Sequence, residues 1–145
     1  MTPGTRLRAT PAIVRAIEGV AALCAGPFEG RVHIVSKAGP KIAALTREWL
    51  ARTKFFDITG VSASNVWFVR KRVDKGPLCD ELGVSHFVDD RLDVLGHLTS
   101  VAHRYLFLGG LGQNPRPSSV PKEYGPFERW PDLAAAIHHS LKTNF

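Results

Sequence analysis

No aspartate occurs before Asp57 in this chain of 145 residues, so its first third can supply no aspartyl nucleophile. Cysteine is almost absent too. Cys24 and Cys79 are the only two, each inside an apolar helical pattern. That usage supports neither a disulfide framework nor a zinc site, and two buried free thiols are expected in a cytoplasmic protein. No apolar run approaches the length of a membrane span. The opening Met1-Thr2-Pro3-Gly4-Thr5-Arg6-Leu7-Arg8 lacks the apolar stretch of a signal peptide. Acids are outnumbered, 13 against 19 lysines and arginines, for a net charge of +6. Such a charge suits an anionic partner. The basic residues are spread along the chain, however, and no basic run interleaved with aromatics marks nucleic acid as a partner. There is no internal repeat and no low-complexity segment.

The chain does hold alternating helix and strand patterns, on a length that fits one domain with a real core. Thr10-Pro11 opens a helix with a capping hydroxyl and a first-turn proline. Ile13, Ala16, Ile17, Val20, Leu23 and Cys24 then recur at helical spacing up to Ala25-Gly26-Pro27. Residues 31–36 form a continuously apolar strand, the mark of a sheet covered on both faces. Ile42, Leu45, Trp49 and Leu50 set the next helix, which ends before Phe55. Val66–Val69 is a strand, residues 76–82 a helix, His86–Val88 a strand, Leu92–Leu98 a helix and Tyr105–Leu108 a strand. A loop rich in glycine and proline over 109–131 precedes a terminal helix over 132–142, with Leu133, Ile137 and Leu141 on one face. Alternation of this kind predicts an α/β fold, a parallel sheet between helix layers.

Three short motifs then stand out. Val32-His33-Ile34-Val35-Ser36 ends an apolar run on a hydroxyl. Lys75-Gly76-Pro77-Leu78 opens a helix with a lysine. Phe87-Val88-Asp89-Asp90 ends an apolar run on paired carboxylates. In parallel sheets ligands bind outside the carboxyl ends of the strands, and all three motifs are expected on that edge. A hydroxyl, an ammonium and a carboxylate pair are what holds a phosphoryl group and a divalent cation. Asp57 follows one helix and precedes a strand, which places it on the opposite edge. Asp74 shares the correct edge but directly precedes Lys75, as a loop or capping residue would.

Each motif also has a plainer reading. Ser36 could be a turn residue, and Asp89-Asp90 could cap the helix that begins near Arg91. Lys75 could be a solvated lysine, although a helix start is a poor place for a cation unless something anionic lies nearby. Two acids ending a buried strand repel each other unless a cation or donors compensate.

With these motifs in order, residues from about Thr10 to Leu108 resemble the haloacid dehalogenase-like (HAD) superfamily of phosphohydrolases. Val32 to Gly39 is similar to its second motif and Val73-Asp74-Lys75-Gly76 to its third. His86-Phe87-Val88-Asp89-Asp90-Arg91 is similar to its fourth, in the double-aspartate form of small deoxynucleotidase-like members. The resemblance implies a three-layer αβα sandwich with a Rossmann-like parallel sheet. It implies that Ser36 and Lys75 bind phosphate, with Lys75 also steadying the nucleophile. It further implies magnesium as cofactor, bound by Asp90 directly and by Asp89 through water or as an orienting group.

Two departures from the family's pattern qualify what it implies. The family's nucleophile and its acid–base partner form an Asp-x-Asp at the end of a central first strand, and residues 1–9 contain neither the acids nor an apolar strand. Either the strands ending at Ser36 and Asp90 pair directly, or another segment or chain fills the gap, so a partner strand or a homo-oligomer is open. A start recorded downstream of the true one would also account for this, since about a dozen residues suffice for a strand and its turn. Nor is there room for a cap domain, because the stretch from Ser36 to Lys75 is expected to hold only one helix and one strand. An open site suits a large phosphorylated substrate, or a cover lent by a partner. The expectation is a single capless domain of magnesium-dependent phosphomonoester hydrolase lineage, with little or no activity as written. The alternative is a non-catalytic phosphate- or metal-binding domain, or a protein-interaction domain.

Overall fold

The structure, a computed structural model, describes residues 11–109 and 117–142, with side chains from residue 16 onward. The irregular start expected over 1–9, the Thr10 cap, the Ile13 side chain and residues 110–116 of the long loop lie outside the described residues. The chain is a mixed α/β protein with small parallel sheets, and it packs as two compact units that divide between Lys71 and Arg72.

The first unit contains α1 (Pro11–Ala25), β1 (Ile34–Lys37), α2 (Pro40–Arg52), α3 (Phe55–Thr59) and β2 (Val66–Val69). β1 and β2 run parallel, in a register that sets Ile34 against Val66 and Lys37 against Val69. Parallel neighbours need a crossover, and here α2 and α3 supply it. Leu23, Cys24, Leu50, Val61 and Val66 form the buried apolar set. β1 starts three residues later than its apolar run. A 3₁₀ turn over Ala63–Asn65 immediately precedes β2, so the ladder has no partner earlier than Val66. The Asn65 side-chain amide instead donates to the Val32 carbonyl at 3.1 Å.

α3 corrects the expectation of a single helix between Ser36 and Lys75. Thr53 closes α2 and Lys54 takes a left-handed conformation (φ 62°). The chain then makes one further short helix that ends on Gly60, also left-handed (φ 83°), as C-terminal glycines commonly are. Asp57 therefore sits inside a helix, exposed, rather than between a helix and a strand.

The second unit contains α4 (Lys75–Leu82), β3 (His86–Asp89), α5 (Leu92–His97), β4 (His103–Leu106) and α6 (Trp130–Lys142). β3 and β4 are parallel, with His86 opposite His103 and Asp89 opposite Leu106. Cys79, Leu95, Leu98, Val101 and Leu106 form the buried cluster, with Phe87, Val84, Leu108, Val120 and Tyr124 against it. The long loop contains a 3₁₀ turn over Lys122–Tyr124 and returns to the sheet. Phe107 bridges to Phe127, and the Leu108 amide donates to the Phe127 carbonyl at 2.8 Å. Its aromatics pack inward: Phe127 lies edge-on to Tyr105 at 5.9 Å, and Trp130 lies 5.1 Å from Phe107. Both cysteines are free and buried. No helix among the described residues is long and apolar enough to cross a membrane.

Candidate functional site

Three of the four expected site residues come together in the second unit. β3 is apolar through Phe87 and Val88 and ends on Asp89, and the chain turns there into α5. α4 begins at Lys75, whose side chain reaches the same strand end. Its Nζ lies 3.0 Å from Asp89 Oδ2, with the two side chains only 10% and 7% exposed. The ammonium also lies 6.0 Å from the centre of the Phe87 ring. At an effective dielectric near 20, opposite charges about 4 Å apart attract by roughly 4 kcal/mol, whereas a cation at a helix start loses only about 0.3–1 kcal/mol. The carboxylate therefore decides where the lysine goes. Asp74, in the position before the helix, makes no side-chain cap.

Asp89 uses both of its oxygens. Oδ2 accepts from Lys75, and Oδ1 accepts from the backbone amide of Arg91 at 2.9 Å. The second contact holds the turn into α5, but it is not the helix cap of the plainer reading, since Arg91 takes the cap position of α5 and no side chain caps it. Burial pushes the Asp89 carboxyl above the ordinary carboxylate range and the neighbouring Asp90 carboxyl adds to the push, while Lys75 and the Arg91 amide oppose it. Asp90 is exposed. Arg91 does not close over this pair but forks onto Asp93, with Nε to Oδ1 and Nη2 to Oδ2 both at 3.0 Å. Asp93 also accepts from the Val94 amide, and the Arg91 fork is the largest cause of its lowered pKa. Cys79, buried one turn along α4, has its thiol pushed up to about 11 by burial, with Lys75 pulling the other way. It is a packing residue rather than a nucleophile.

Ser36 belongs to the first unit. It is the third residue of β1, opposite Phe68, half-buried, and its hydroxyl has no hydrogen-bond partner among the described residues. β1 continues one residue beyond it, to Lys37.

For magnesium the donor set is thin. Among the described residues no three His, Cys, Asp or Glu side chains gather as a metal site would require. Asp89 is already engaged on both oxygens, which leaves the single exposed carboxylate of Asp90. These residues alone do not make a magnesium site.

The sequence did not single out the partners of this centre. Gly76, directly after Lys75, lets α4 approach α5 so closely that a Cβ there would lie 2.5 Å from the His97 carbonyl oxygen. The only available signal was a glycine in a first helical turn, where it costs stability unless something needs the space. Comparison with protein-family models, with curated proteins and with solved structures finds no match to this chain.

Proposed function

We propose that the chain is a capless HAD-like domain of magnesium-dependent phosphomonoester hydrolase lineage, with little or no hydrolytic activity as written. The observation that supports it best is the Lys75–Asp89 ion pair at the carboxyl end of β3, with Asp90 next to it. A cation held by one carboxylate at a strand end is the arrangement that charge stabilisation of a transferring phosphoryl group calls for. In this reading Lys75 neutralises phosphate charge and Asp89 positions Lys75, both within the second unit. Asp90 is the one carboxylate left over for a cation, and one carboxylate alone would leave a hard dication most of its waters. Among the described residues none of the candidates stands ready to attack phosphorus: Ser36 has no base hydrogen-bonded to it, and Lys75 is ion-paired.

A second reading has its own support. Asp89 is saturated by Lys75 and by the Arg91 amide, as a purely structural ion pair would be. It favours a non-catalytic phosphate-binding or protein-interaction domain.

Steady-state hydrolysis of an aryl phosphate with magnesium tests the catalytic statement. The expected result is that residues 1–145 turn over no faster than a Lys75→Ala, Asp90→Asn double mutant. A magnesium-dependent rate well above that mutant would overturn it, and would show a nucleophile outside the set named here.

A further inference from the structure

The far edge of β4 is covered for only part of its length by the described residues. The odd-numbered residues of this segment turn their backbone groups to β3, where the His103 amide donates to the Ser85 carbonyl and the Phe107 amide to the Asp89 carbonyl. Arg104 and Leu106 therefore turn theirs to the opposite edge. Phe127 covers that edge at Leu106, whose carbonyl accepts the Phe127 amide at 2.9 Å. The pairing stops there, because the Gly125 amide turns back to the Lys122 carbonyl at 3.2 Å. The start of the strand is left beside a cavity of about 180 Å³, lined by Ala102, His103, Arg104, Tyr105, Glu123 and Tyr124.

Two opposite charges line this cavity without meeting. Arg104 is half-buried and held in place. Its Nε donates to the Val101 carbonyl at 3.1 Å, its Nη1 donates to the Leu95 carbonyl at 3.0 Å, and the guanidinium lies 5.7 Å from the centre of the Tyr124 ring. Both carbonyls are neutral, so the guanidinium has no counter-charge, and Nη2 has no partner among the described residues. Glu123 is exposed, and its carboxylate also has no hydrogen-bond or ion-pair partner among the described residues. Arginine forks readily onto a carboxylate. Here the two share the wall of one small cavity yet stay beyond ion-pair distance.

We propose that this cavity binds a small free amino acid as its zwitterion, with the carboxylate on Arg104 and the ammonium on Glu123. A cavity of about 150 Å³ holds benzene, so one of about 180 Å³ has room for an amino acid the size of serine and none for a nucleotide. A simple anion would answer Arg104 but be repelled by Glu123, and a simple cation would meet the reverse. A ligand carrying both charges complements both residues. The cavity lies at the start of β4, whereas Asp89 pairs with the last residue of that strand, so the inference is independent of the reading of Lys75 and Asp89.

Titration of the isotope-labelled full chain with glycine, L-alanine and L-serine, followed by backbone amide chemical shifts, is the test. Saturable shifts are expected at residues 102–105 and 122–124. Acetate and methylamine, each with one of the two charges, should bind about tenfold or more weakly than the tightest of the three. Glu123→Gln keeps the shape of an exposed side chain and removes its charge, so it should weaken that amino acid about tenfold or more at an unchanged melting temperature. Lys122→Ala, a change at its exposed neighbour, should leave binding as it is. The proposal is overturned if Glu123→Gln, melting at the wild-type temperature, still binds like wild type. It is equally overturned if acetate or methylamine binds as tightly as the amino acids, or if none of the three moves these amides.

Discussion

Lys75 and Asp89 show how a single buried pair can decide a site's character. Removing one partner from such a pair strands the other charge in a poor dielectric, a loss of about 3–5 kcal/mol. Lys75→Met is therefore expected to lower unfolding free energy by roughly that amount at pH 7, read by urea denaturation. The loss should shrink as pH falls. Burial already raises the Asp89 carboxyl, and without Lys75 it protonates more readily, which removes the stranded charge. Lys75→Met combined with Asp89→Leu should recover most of the stability, and a double mutant as unstable as the single one would rule out this account. His86 works in the opposite sense. Its Nε2 lies 2.8 Å from the Ser140 hydroxyl, which spends its own proton on the Ile137 carbonyl, so Nε2 must donate. Nδ1 is then left to accept from Ser85 at 2.7 Å. Burial, helped by His103 stacked at 4.5 Å, lowers its pKa from 6.5 to about 4. Because the folded value lies below the unfolded one, stability is present above pH 6.5 and is lost as pH falls toward 4. Thermal melts across that window should show the decline, and His86→Gln, which hydrogen-bonds without titrating there, should flatten it.

Among the elements, β2 is legible to the residue because a four-residue apolar run and a four-residue ladder coincide. The neighbouring strands are not, because hydrogen-bond partners set their limits. β4 begins at His103, two residues before its apolar run, since His86 is there to pair with it. Phe107 still donates its amide to the Asp89 carbonyl but bridges to Phe127, and Leu108 donates to the Phe127 carbonyl instead. α3 went unread because five residues carry no helical period. Lys54 and Gly60, in left-handed conformations at its two ends, bound it, and only the glycine announces itself in sequence. Ile42 and Leu45 fit a buried helical stripe yet are 56% and 54% exposed. Of the candidate site, the Lys75–Asp89 pairing was legible from charge and strand ends. The second bond of Asp89, to the Arg91 amide, depends on turn geometry that spacing does not encode. α4 and α5 offer a direct test of close approach. Alanine in place of a helical glycine usually stabilises by about 0.5–1 kcal/mol. At Gly76 the added Cβ would meet the His97 carbonyl at 2.5 Å, and overpacking of this kind costs about 1–3 kcal/mol. Gly76→Ala should therefore lower the urea midpoint, and a raised midpoint would mean that the two helices can part without loss.

Taken whole, the chain packs as two compact units, and the segment where they divide is basic. Arg70, Lys71 and Arg72 are consecutive and exposed, directly after β2. Segments between compact units carry few contacts and open easily. Brief trypsin treatment under native conditions is therefore expected to cut first at this run, giving two fragments of similar size whose new ends mass spectrometry would place at residues 70–72. A first cut inside α2 or α6 would contradict the division. The two ladders also differ in how much chain must be gathered before they close. His86 meets His103 across 17 residues, whereas Ile34 meets Val66 across 32, nearly twice the separation. Each doubling of a closing segment adds only about 0.6 kcal/mol of entropy, but that cost falls before any contact compensates it. The β3–α5–β4 segment thus has the lower contact order of the two, and it includes the strand end that carries Asp89. On the entropy of closure alone, the strand end that carries the carboxylate for Lys75 costs less to form than the edge bearing Ser36.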